Sequence, residues 1–203
     1  MNVVNHWKNA ILALSKKDTI IKNIISNYSG ECMKLKNNPF ITLARSIVGQ
    51  QISVKAADTI WNRLETKCNN LVSAKNILSL SNLDLRSVGL SKQKISYLQN
   101  IAESNVFDTK WTEKTDSEAI DILCTIKGIG KWTAEMFLIF HLARPNILPL
   151  GDVGLIKGIE KHYNNGEKMM KSEIIELKKL WDPWCSVLTW YIWRSLDPIP
   201  VNY

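Results

Sequence analysis

Within ten residues, Ile126-Lys127-Gly128-Ile129-Gly130-Lys131-Trp132-Thr133-Ala134-Glu135, the chain combines two glycines, two lysines and the start of a helical pattern. A glycine pair around one apolar residue, set between two helical stretches, makes a tight hairpin. Ile129 turns to the core and backbone N–H groups are left uncovered. The helix beginning near Lys131 adds its dipole, its first-turn amides and an ammonium, all favouring an anion at one spot. A phosphate held there fixes position on a nucleic acid without reading sequence. An ordinary glycine turn between helices uses the same residues, so both readings stand at this point. Two other phosphate loops are excluded. A Walker loop needs Gly at 125 and Ser or Thr at 132, where Thr125 and Trp132 stand. A dinucleotide fingerprint needs Gly at 133 after a strand, and Thr133 follows a helical pattern.

Some twenty residues on, Pro149-Leu150-Gly151-Asp152 interrupts the helical pattern and sets a carboxylate at the mouth of the next helix. Asp in that place is an N-cap, and the same anion beside a cleft can stabilise an oxocarbenium-like sugar. Of eight tryptophans, Trp181, Trp184, Trp190 and Trp193 crowd the last stretch together with Tyr191. Most are expected in the core. Trp190 and Trp193 are three apart, so only some of these rings share one helix face. An indole exposed in a cleft would stack on a flipped base and would favour a cationic, alkylated one.

The elements that must carry these residues read as helices. Apolar residues recur at helical spacing, as in Phe40, Leu43, Ala44, Ile47 and Val48, and alternation of period two is scarce. Thr115 and Glu118 form a capping box, and Asp182-Pro183 reads as an N-cap before a proline at the first helical position. The expected fold class is all-α. Its helices are Val3–Leu14, Thr19–Ser26, Pro39–Gln51, Val54–Glu65, Ala74–Leu80, Leu83–Val88, Lys92–Glu103, Asp116–Thr125, Lys131–His141, Val153–Lys161, Lys171–Trp181 and Pro183–Ser195. No linker, internal repeat or low-complexity tract divides the chain.

The 203 residues, 45% hydrophobic, suffice for one sizeable core or two small lobes. A net charge of +7 favours a polyanionic partner without requiring one. Cys32, Cys68, Cys124 and Cys185 lack C-x-x-C spacing, which excludes a zinc knuckle or an iron–sulfur loop and suggests four reduced thiols. No run reaches about 18 uninterrupted apolar residues, and Met1–Ser15 lacks the h-region of a signal peptide. An intracellular protein is expected, cytoplasmic in a bacterium or nuclear in a eukaryote. His6, His141 and His162 are scattered and read as packing or surface residues.

In this order, Lys127-Gly128-Ile129-Gly130, Trp132-Thr133-Ala134-Glu135, Pro149 and Gly151-Asp152 resemble the helix-hairpin-helix DNA glycosylase superfamily, in particular its 3-methyladenine DNA glycosylase II branch. The match runs from Arg45-Ser46-Ile47-Val48-Gly49-Gln50-Gln51-Ile52-Ser53 through Trp181-Asp182-Pro183-Trp184 to Trp193. The resemblance implies a single bilobal unit over 1–203, with the terminal segments in one lobe, roughly 40–145 in the other, and an active-site cleft between them. It leaves no room for the N-terminal β-rich domain of larger bacterial relatives. It implies Asp152 as the catalytic carboxylate, Trp193, Trp132 and Met136 at the base pocket, and Gln51, Gly128, Gly130, Lys131 and Thr133 on DNA. Gln51 would fill the gap left by the flipped nucleotide, where some relatives use leucine, and Met136 stands where some carry a tyrosine.

Trp132 takes the place of the lysine by which bifunctional relatives form a Schiff base, and an indole cannot attack a sugar as an amine. Lys131 points about a hundred degrees away on the helix and is no substitute. The resemblance therefore implies a monofunctional hydrolase that excises alkylated bases from double-stranded DNA and leaves the abasic strand uncut. It would work as a monomer, without a cofactor, a required metal or a membrane. The backbone carbonyls of Cys124, Ile126 and Ile129 match a family site for a monovalent cation. Glu135 and Glu31 stay outside the catalytic set, because an alkylated purine is already a cationic leaving group. Rival readings are a glycosylase for oxidised or mismatched bases, a non-catalytic DNA-binding module, and a helical protein without a DNA function.

Overall fold

Side-chain oxygens mark the starts of most helices. In the computed structural model, which describes residues 6–35 and 38–197, α1 (Trp7–Lys17) is followed at once by Asp18, whose carboxylate caps α2 (Thr19–Asn27). Asn38 caps α3 (Pro39–Gly49), with Pro39 in the first turn where its missing N–H costs nothing. Ser53, Ser73, Ser81 and Ser91 cap α4 (Val54–Lys67), α5 (Ala74–Ser79), α6 (Asn82–Ser87) and α7 (Lys92–Glu103). The capping box of Thr115 and Glu118 opens α8 (Asp116–Cys124) as expected. Then follow α9 (Lys131–Phe140), α10 (Val153–Tyr163), α11 (Lys171–Trp181) and α12 (Cys185–Arg194). Among the described residues there is no β-strand, so the fold is all-α.

The described residues divide into two compact units, one built from those up to Leu35 and from Ala143 on, the other from those between, up to Leu142. In the second unit α3 packs against α4, α7 and α9, and α8 lies along α9. α9 buries every residue from Thr133 to Phe140, and α3 buries Phe40, Leu43, Ala44, Ile47 and Val48 along with Thr42 and Ser46. Ser46 Oγ disposes of its own polarity by donating to Thr42 O (2.9 Å).

In the first unit α1 pairs with α2, and α12 packs on α1, α2, α10 and α11. α12 is buried from Cys185 to Trp193, which is where the tryptophan-rich stretch goes. Trp7 meets Trp190 edge-on and Tyr191 at a tilt, with centroids 5.3 and 5.6 Å away. Buried Asp18 accepts the amides of Ile20 (2.9 Å) and Ile21 (3.2 Å), the Tyr163 hydroxyl (2.6 Å) and the Trp181 indole N–H (3.0 Å). Burial, then the bond to Asp18, pushes the Tyr163 hydroxyl well above the ordinary phenol range.

Three expected boundaries are corrected. The first helix runs past Leu14 to Lys17 because it yields to Asp18; its expected start at Val3 lies outside the described residues. α3 stops at Gly49, and Gln51 lies beyond it at φ 58°, so no helix reaches Gln51. Asp182 and Pro183 do not start α12. Asp182 closes α11 in extended conformation, the Asp182–Pro183 peptide is cis, and Trp184 precedes the helix. Lys178 Nζ and Cys185 Sγ both donate to the Asp182 carboxylate. Among the described residues no helix is long and apolar enough to cross a membrane.

Asp18→Ala removes a cap and orphans two buried donors, and is expected to cost about 2–4 kcal/mol. Urea unfolding of the whole chain measures it, and a loss below about 1 kcal/mol would mean that Trp181 and Tyr163 find other acceptors.

Candidate active site

The hairpin between α8 and α9 belongs to the second unit. Thr125 ends α8 with its N–H on Ile122 O (3.2 Å), and Ile129 N–H turns back to Ile126 O (3.0 Å) with the Ile129 side chain buried. Its two glycines differ. Gly128 sits at φ +107°, and a Cβ there would come within 2.2 Å of Tyr97 Cγ, so both the backbone and its neighbour demand glycine. Gly130 is extended, at φ −94° and ψ 175°, and an added Cβ would meet nothing within 4 Å. It stands as the N-cap of α9 and has no side chain to cover the first-turn amides, leaving the positive end of the helix dipole open to an anion. Lys131, exposed at the first position, lies 4.0 Å from the carboxylate of buried Glu135.

Residues that the motif did not reveal hold this loop in place. Gln50 Nε2 donates to Thr133 Oγ1 (3.0 Å) and Gly128 O (3.4 Å), and Asn100 Nδ2 donates to Lys127 O (2.9 Å). Lys94 Nζ donates to Val48 O (2.7 Å), tying the end of α3 to α7; burial pushes its ammonium pKa down. Thr133 is itself buried, and its Oγ1 accepts from Gln50. Gln51 is exposed at the tip of the turn in the left-handed region, beside exposed Ile52. Met136 is fully buried in α9, whereas Trp132 is half-buried. The carbonyl of Cys124 ends α8, where the dipole leaves partial negative charge, and Ile126 lies two residues on with its carbonyl accepting from Ile129 N–H, a setting that fits a hard monovalent cation. No group of three or more His, Cys, Asp or Glu that could hold a metal occurs among the described residues.

Asp152 belongs to the first unit. It caps α10, its Oδ1 accepting the Leu155 amide (2.6 Å) and the Trp193 indole N–H (2.9 Å). Trp193, at 7% exposure on α12, meets the carboxylate with its edge. α12 comes this close because Gly158 faces it: a Cβ at Gly158 would lie 2.3 Å from Ile192 Cγ2. Glu31 is bound bidentately by Arg194 (2.6 and 3.0 Å), which holds its carboxyl below the usual range, so it is ionised and unsuited to donate a proton. The histidines do pack: His162 Nε2 meets Ser195 Oγ (2.8 Å), His6 stacks on Trp184, and His141 lies tilted against Phe137.

The family model of the HhH-GPD superfamily base excision DNA repair proteins matches residues 44–184, and the chain belongs to that family. Among its curated relatives is DNA-3-methyladenine glycosylase 1 of Schizosaccharomyces pombe, 29% identical over 179 residues that cover 85% of this chain and 78% of the relative. The solved structure of the Schizosaccharomyces pombe 3-methyladenine DNA glycosylase in complex with abasic DNA is similar at a TM-score of 0.83, with 27% identity, over 96% of this chain and all of that one. A DNA-3-methyladenine glycosidase from Bacillus halodurans is similar at 0.75, with 35% identity, over 96% and 92%.

Gly128→Ala must move Tyr97 and strain the backbone, and is expected to destabilise the chain by about 2–4 kcal/mol. Gly130→Ala is expected to stay within about 0.5 kcal/mol. Thermal unfolding of the two variants side by side checks the contrast, and equal losses would refute it.

Proposed function

We propose that this chain is a monofunctional DNA glycosylase that removes alkylated bases, 3-methyladenine and 7-methylguanine, from double-stranded DNA in base excision repair. The observation that carries the reading is Asp152: a carboxylate fixed at the start of α10 beside an indole, in a chain of the HhH-GPD family. Similarity to proteins named as 3-methyladenine glycosylases, one of them solved with abasic DNA, supports the substrate class.

The target nucleotide rotates out of the duplex, at least cost where alkylation has weakened its pairing. The bond from C1′ to the base nitrogen breaks and its electron pair leaves with the base, which departs neutral because alkylation had made it cationic. Positive charge develops on the sugar, and Asp152 stabilises it. Water adds to C1′ and releases its proton, leaving an abasic site. Trp132 in place of an amine leaves no nucleophile for a Schiff base, so the strand stays uncut. The amides at the start of α9, from Gly130 to Thr133, with Lys131, hold the backbone phosphate, and Gln51 enters the vacated stack. Trp193 borders the base, whereas Met136, with no exposed surface, is part of the packing of α9. The carbonyls of Cys124, Ile126 and Ile129 would hold a monovalent cation beside that phosphate. No organic cofactor enters the reaction, and the DNA partner puts its work at the chromosome, in bacterial cytoplasm or a nucleus.

The test is release of free 3-methyladenine and 7-methylguanine from methylated duplex DNA. Wild type is expected to release both, and Asp152→Asn to be slower by about 10²-fold or more with DNA binding retained. Borohydride is expected to trap no covalent complex. A folded wild type that binds DNA and releases no base would overturn the reading in favour of a non-catalytic DNA-binding module. Binding itself should weaken steeply with salt, the logarithm of the affinity falling linearly with that of salt concentration; a salt-independent affinity would argue against phosphate contacts.

A further inference from the structure

Two donors to Asp152 converge on one oxygen. The Leu155 amide and the Trp193 indole N–H reach Oδ1 at 2.6 and 2.9 Å. Each of these partners is an obligate donor, so Oδ1 accepts from both. The amide is what any N-cap provides. The indole is an additional restraint, and it comes from α12, 41 residues further along the chain.

Room for it is provided on α10. A Cβ at Gly154 would lie 3.2 Å from Asp152 Oδ1 and 3.7 Å from Trp193 Cδ1, so a side chain there would press on the carboxylate and lie in ordinary contact with the indole that binds it. One helical turn later, Gly158 lets α12 approach until Ile192 fills the space of a missing side chain. Two glycines one turn apart on α10 thus let the Trp193 edge reach Asp152.

We infer that Trp193 is a positioning residue for Asp152: its indole N–H, given space by Gly154, locks the carboxylate in the orientation from which it faces the sugar. The inference rests on the proposed glycosylase reading and goes beyond a stacking wall, since a wall needs only the ring face. A carboxylate that loses one of its donors is freer to rotate about its side-chain bonds, and a charge that swings away from a developing cation stabilises it less.

The test uses DNA that contains no base at the target position, so that stacking cannot contribute. Two duplexes are compared, one with a neutral tetrahydrofuran abasic analogue and one with a cationic pyrrolidine analogue of the sugar. The ratio of their dissociation constants reads how well an anion faces the sugar. Wild type is expected to prefer the cationic duplex and Asp152→Asn to lose that preference. Trp193→Phe keeps a ring and deletes the N–H; its ratio, taken against the neutral duplex of the same variant, is expected to fall by about three- to tenfold toward that of Asp152→Asn. Gly154→Ala, an easy change for a helix, is expected to move the ratio the same way and decides the matter if Trp193→Phe does not fold. A wild-type ratio in the folded variants, while Asp152→Asn loses the preference, would overturn the positioning role and leave the glycosylase reading intact. A wild type with no preference would overturn the assignment of Asp152, and the positioning role with it.

Discussion

A carboxylate removed from water must be compensated by donors on every side, and Asp18 meets that demand with two backbone amides, a tyrosine hydroxyl and an indole N–H. These partners lie on α2, α10 and α11, so one buried anion ties the N-terminal helices to those at the far end of the sequence. The unit that carries Asp152 is assembled around this requirement. Asp152 repeats the arrangement: it too caps a helix and takes an indole N–H from a helix near the C-terminus. The difference lies in the rest of the surroundings. Tyr163 adds a further donor to Asp18, whereas glycine at 154 keeps the neighbourhood of Asp152 clear of a side chain. The same local chemistry serves cohesion in one place and, in the proposed mechanism, charge stabilisation in the other.

What the sequence reveals is what is local. Capping residues, apolar spacing of 3.6 and glycine punctuation are written in consecutive residues, and the helices start close to where Asn38, Ser53, Ser91 and Thr115 place them. Asp152 is legible as an N-cap for the same reason. Asp182-Pro183 shows the limit of such signals. A local pattern that suits a helix start is not used as one, and the carboxylate pairs with Lys178, one turn back on α11. The turn after Gly49 is similar: the helical spacing from Phe40 to Val48 does not mark where the helix stops, and the backbone at Gln51 takes a left-handed conformation.

The supports of the hairpin are illegible because they are distant. Gln50 reaches residues 128 and 133, Asn100 reaches residue 127, and Tyr97 fills the space that only glycine at 128 leaves open. Polar side chains on otherwise amphipathic helices carry no mark of which carbonyl they will meet. The two glycines of the motif look equivalent in sequence and are not. One is required by packing and backbone angle, while the other leaves a helix start uncovered. Stability and access are thus divided between two positions that a motif treats as one.

Gly158 has a reach that its chemistry does not suggest. It carries no functional group, yet the space it leaves for Ile192 sets the interaxial spacing of α10 and α12, and that spacing sets how far the Trp193 indole stands from Asp152. Hydrogen bonds tolerate errors of a few tenths of an ångström, far less than the width of a methyl group. Position 158 therefore works as a mechanical gauge: a residue remote from any substrate fixes the alignment of those proposed to meet it, and sequence drift there is constrained by tolerance in the machinist's sense.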